Sequence, residues 1–74
     1  MERQAIIKIS GRKIEGYPTV TRVIFFESVD VFIQKADKAI EETLFGKVDC
    51  YVEAEEVFSE DEVKTLEENL FIVD

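Results

Sequence analysis

The chain has 74 residues, 46% apolar and 35% charged, a globular composition with enough length for one thin-cored domain and no more. Histidine is absent and Cys50 is the single cysteine, which removes the usual neutral-pH general base, hydrolytic triads, most transition-metal sites and any internal disulfide. A net charge of −8 disfavours direct contact with nucleic acid or an anionic membrane and favours a basic protein surface.

The first predicted element is a strand over Gln4–Ser10. Ala5, Ile7 and Ile9 point one way, and Ile6, Lys8 and Ser10 the other, which gives one apolar face. Gly11 and Gly16 bracket a polar, basic hairpin connection with Arg12 and Lys13 at its tip, and Tyr17-Pro18 favours extended entry to the next strand. That second strand, Thr19–Glu27, is rich in β-branched and aromatic residues. Its run Val23-Ile24-Phe25-Phe26 is apolar on both faces. Either the rest of the chain partly covers the second face, or Val23 and Phe25 form a self-association surface, because so short a chain has little left to cover it.

A helix follows over Val29–Phe45. Val29, Phe32, Ile33, Ala36, Ile40 and Leu44 recur at spacings of three and four as one apolar stripe. Ser28 or Asp30 can cap its start, and Gly46 suits a left-handed stop beyond its end. Its outer face, with Gln34, Lys35, Asp37, Lys38, Glu41 and Glu42, is of mixed sign and reads as ordinary solvated surface. A third strand, Val48–Glu55, alternates Val48, Cys50, Val52 and Ala54 on one face with Asp49, Tyr51, Glu53 and Glu55 on the other. Cys50 therefore reads as a small core residue whose thiol pKa is raised by nearby carboxylates. A second helix spans Ser59–Asn69. Ser59 and Glu62 match a capping box, Phe58 and Val63 a hydrophobic staple, and Val63, Leu66 and Leu70 an apolar stripe. Phe71-Ile72-Val73 either docks the helix end or forms a fourth strand.

The order ββαβα implies a single α+β domain over residues 1–74. Its sheet is mainly antiparallel, three-stranded or four-stranded, and packs on the first helix. A right-handed crossover gives strand order 2-1-3, with strand three antiparallel to strand one. No apolar run approaches the roughly 20 residues that span a bilayer. The opening Met-Glu-Arg-Gln-Ala-Ile-Ile lacks the pattern of a signal peptide, so a cytoplasmic protein is expected.

Charge is segregated along the chain. Asp49–Asp74 holds ten acids and one base, a net of −9, while Met1–Val48 nets +1. Three explanations compete. Carboxylates can simply solvate a small domain, as Glu62 in its capping box shows, although a charge of this size carries a self-repulsion cost that solubility does not require. Glu53, Glu55 and Glu56 could hold a divalent cation weakly, but no calcium-loop pattern is present. Alternatively, the acids form a face for a basic partner. Alternate strand residues lie about 6.7 Å apart, close to the spacing of backbone phosphates. A row of Asp49, Glu53 and Glu55, with Glu56 and the helical Glu60, Asp61, Glu67 and Glu68, could imitate a duplex, provided strand and helix acids share one surface. Tyr51 would be an interfacial anchor, or an ordinary cross-strand packing residue.

In its size, its lack of histidine and its Asp49–Glu68 acids, the chain resembles the small acidic inhibitors that phages direct at host enzymes, several of them DNA mimics. The resemblance implies a protein that blocks a basic, DNA- or RNA-binding protein, and the absence of histidine and of catalytic or metal motifs sets the expectation of no enzyme, cofactor or metal. The alternative is a structural or regulatory subunit, for instance a homodimer, that docks through the apolar Val23–Phe26 strand.

Overall fold

A computed structural model describes residues 2–11, 19–45, 48–53 and 57–73. These form β1 (Arg3–Gly11), β2 (Val20–Phe26), α1 (Val29–Thr43), β3 (Val48–Glu53), α2 (Glu60–Glu68) and β4 (Ile72–Val73). The strands make one mixed sheet in the order β2-β1-β3-β4. β1 is central and antiparallel to both β2 and β3. β2 and β3 are therefore parallel across it, as the crossover through α1 requires. β4 adds in parallel beside β3, so the sheet has four strands. The expected α+β class holds.

Period-two patterning sorts the sheet into two faces. Ala5 stands opposite Ile24, Ile7 opposite Val52, and Ile9 between Val20 and Cys50. Ala5, Ile7, Ile9, Ile24, Phe26, Cys50 and Val52 are buried on this face. Both helices cover it, because Phe32 and Ala36 of α1 and Leu66 of α2 belong to the same apolar cluster. Four phenylalanines join the layers. Phe26 of β2 meets Phe32 edge-on at 5.0 Å and stacks on Phe58 at 5.2 Å, while Phe71 lies 6.1 Å from Phe32. Such aromatic pairs add about 0.5–1.5 kcal/mol each beyond their buried area.

Helix starts follow the expected signals. The Val31 N–H donates to the Ser28 hydroxyl at 3.4 Å, so Ser28 rather than Asp30 is the cap. In α2 the Glu62 N–H donates to Ser59 Oγ and the Ser59 N–H to Glu62 Oε1, which completes the capping box. Phe58 is buried and Val63 packs on the core, the two positions of the staple.

Helix ends correct the sequence reading. α1 stops at Thr43, two residues early, with Leu44 left-handed at φ 59°. Gly46, the expected stop, lies outside the described residues, as do Ala54, Glu55 and the loop 12–18. The Leu44 N–H donates to the Glu41 carbonyl. The Thr43 hydroxyl donates to the Ile40 carbonyl and accepts from the Phe45 N–H. It thereby relays the link that would otherwise be the long hydrogen bond of a Schellman close. α2 ends in the full form of that motif. The Leu70 N–H donates to the Glu67 carbonyl and the Phe71 N–H to that of Leu66, with Leu70 at φ 69°. Reversal at Leu44 and Leu70 turns both side chains out, 89% and 82% exposed. Neither extends the apolar stripe predicted for its helix. Phe71 enters the core in place of Leu70, and Ile72–Val73 then forms β4. The two alternatives for this segment are both realised, one residue apart.

Candidate interaction surface

Both helices lie on one side of the sheet, and among the described residues its other face is open. It carries Gln4, Ile6, Lys8 and Ser10 from β1, Thr21, Val23 and Phe25 from β2, Asp49, Tyr51 and Glu53 from β3, and Ile72 from β4. Ile6, Val23, Phe25 and Ile72 are 37%, 50%, 48% and 39% exposed, and Tyr51 is half-buried. Among the described residues no element packs over them. The registers place Val23 beside Ile6 and Tyr51 beside Ile72. With strands about 4.8 Å apart and alternate residues about 6.7 Å apart, Phe25, Val23, Ile6, Tyr51 and Ile72 form a diagonal apolar stripe across all four strands. Lys8 and Glu53 flank its middle on opposite sides and join in an ion pair, Nζ to Oε1 3.3 Å, that crosses the stripe between Ile6 and Tyr51.

The sheet divides the acids. Asp49 and Glu53 lie on the open face with Tyr51, and Asp49 is half-buried. Glu60, Asp61, Glu67 and Glu68 are exposed on α2, in the layer behind the sheet. The sheet therefore stands between the described strand acids and the acids of α2. Glu55 and Glu56 lie outside the described residues. No group of three or more cysteines and carboxylates is placed to hold a metal ion among the described residues.

The edges of the sheet are guarded. On edge strand β2 the carbonyls of Thr21 and Phe25 accept from cationic side chains instead of a further strand. Arg22 Nη1 donates to the Thr21 carbonyl and Lys35 Nζ to that of Phe25. Two cationic side chains thus cap acceptors that another strand would use. The opposite edge, β4, has only two residues.

Arg3 has a structural role that its flanking position in the sequence did not reveal. Its guanidinium makes a two-pronged contact with Glu62, 2.9 Å on each prong, donates to the Val57 carbonyl at 2.9 Å, and lies over the rings of Phe26 and Phe58. Arg3 and the Ser59 N–H hold the Glu62 carboxyl down at about 2. The available signal was an arginine at the start of a strand in a chain with excess acid, which does not identify the partner. Burial, with a smaller contribution from Asp37, pushes the Cys50 thiol up to about 11. The direction matches expectation, but the carboxylate comes from α1 rather than from the acidic third.

Among the described residues no helix is long and apolar enough to cross a membrane. No protein-family model, no curated protein and no solved structure matches the chain.

Proposed function

We propose that the chain is a non-enzymatic protein-interaction domain that docks through the open face of its sheet. One observation carries this: Ile6, Val23, Phe25 and Ile72 stand exposed together on a face that neither helix covers. Isolated exposed apolar residues are ordinary, but apolar residues gathered from several strands on one face of a sheet make a contact surface. Tyr51 supplies the amphipathic ring favoured at interface centres. The test is Phe25→Glu, with circular dichroism to follow the fold. Association should fall at least about tenfold, the equivalent of about 1.4 kcal/mol. Association unchanged by a carboxylate at this position of the stripe would end the proposal.

A second reading rests on the exposed acids of α2. Glu60, Asp61, Glu67 and Glu68 can meet a basic, nucleic-acid-binding protein and inhibit it by charge alone, with the helical layer as the contact. Such binding weakens steeply as salt rises, and Glu67→Lys with Glu68→Lys abolishes it. Binding through the sheet face is nearly indifferent to both changes.

A further inference from the structure

Resting on that docking surface, we propose that its occupant is a second copy of this chain, packed face to face on a two-fold axis along the diagonal stripe, with the two sheets crossed. Charge is the first argument. The molecule carries −8, yet among the described residues the open face holds one cation, Lys8, and two anions, Asp49 and Glu53, with Lys8 and Glu53 in an ion pair. The α2 acids lie behind the sheet. Two copies meeting at this face therefore keep most of their like charge apart, whereas a basic partner would find most of its complement on the other side.

Self-complementarity is the second argument. From Phe25 to Ile72 the stripe crosses three strand spacings of about 4.8 Å and rises four residues of about 3.3 Å, so it runs at about 45° to the strands. Lys8 and Glu53 sit at nearly the same height along it, one on each side. Rotation by 180° about an axis along the stripe lays stripe on stripe and brings Lys8 of one copy over Glu53 of the other, twice per dimer. An axis at about 45° crosses the strands of the two copies at about 90°, one of the two preferred sheet-on-sheet arrangements. The capped β2 edge and the two-residue β4 edge oppose the competing edge-to-edge dimer. The sheet face is about 19 by 20 Å, a footprint of about 400 Å² per copy. That is small for a stable interface, so a weak dimer in the micromolar range is expected.

Sedimentation equilibrium of the full chain tests this. Wild type should dimerise, with little dependence on salt, because apolar contact rather than charge supplies most of the attraction. Lys8→Glu alone and Glu53→Lys alone should each be monomeric at concentrations where wild type is dimeric. Their equimolar mixture should dimerise, since each variant then presents the charge the other lacks. A wild type that stays monomeric to millimolar concentration overturns the second copy as occupant, and a mixture no more associated than its components overturns the crossed two-fold arrangement. The docking surface fails separately: if wild type is monomeric, loss of partner capture in Phe25→Glu leaves that surface standing, and capture unaffected by Phe25→Glu removes it as well.

Discussion

Arg3 joins three parts of the molecule at once. It ties the start of β1 to the carbonyl of Val57 and to the Glu62 carboxylate of α2, and it covers two rings of the phenylalanine cluster. An exposed ion pair adds about 0–1 kcal/mol, but this one is two-pronged, partly buried and stacked. Arg3→Ala should therefore cost about 2 kcal/mol in chemical denaturation, and a cost below about 0.5 kcal/mol would show that the contact is ornamental. Glu62 adds a pH signature. Its carboxyl falls from 4.5 to about 2 on folding, so its contribution is complete above pH 4.5 and is lost as pH falls toward 2. Wild type should lose stability across that window, and Arg3→Ala should show a shallower loss. Leu70 offers the opposite lesson. It occupies the left-handed position that closes α2 and is almost fully exposed, so its side chain contributes little while its backbone is strained. Leu70→Gly should raise stability by about 0.5–1 kcal/mol without altering association.

At the level of elements, the edge of β2 is where folding and aggregation meet. Its exposed run of β-branched and aromatic residues is the kind of strand that recruits others. Arg22 and Lys35 occupy the carbonyls of Thr21 and Phe25. Replacing both with alanine should leave the native circular dichroism intact while accelerating thioflavin-positive aggregation. Equal aggregation rates would mean that the edge is protected by something other than these caps. The mixed-sign outer surface of α1, which reads as plain solvated helix in the sequence, thus includes a lysine that guards the neighbouring strand.

For the whole molecule, stability rests on a small core. At about 0.05–0.15 kcal/mol per residue the chain has about 4–11 kcal/mol to lose. Phe32 is fully buried and touches Phe26, Phe58 and Phe71, so Phe32→Ala, at about 3–5 kcal/mol, should remove a large part of that stability and lower Tm accordingly. Charge acts at the same scale. The −8 is concentrated in β3, α2 and their flanks, and its self-repulsion opposes compaction. Added salt should raise Tm by about 4–8 °C for each kcal/mol of repulsion screened, as calorimetry would show. A Tm insensitive to salt would mean that the acids are already compensated.

The local periodicities of the sequence determined most of the fold. Alternation in Gln4–Ser10 and Val48–Glu53 assigned faces correctly, spacing in Val29–Ile40 marked the buried side of α1, and Ser59 with Glu62 marked the start of α2, because each signal depends on neighbours within a turn or two of chain. The apolar second face of Val23–Phe26 was legible as well. Other features depend on contacts between residues distant in sequence, and only the tertiary structure decided them. Helix ends were misread because leucines took the left-handed positions expected of glycine, under the pull of Phe45 and Phe71 into the core. Arg3 meets Glu62 only after the sheet and α2 have packed. Above all, placing both helices on one face left the other open among the described residues, set the α2 acids behind the sheet, and brought Phe25, Val23, Ile6, Tyr51 and Ile72 together from four strands. No local pattern specifies which side of a sheet a helix will cover, because that choice is made by the burial of the whole core at once.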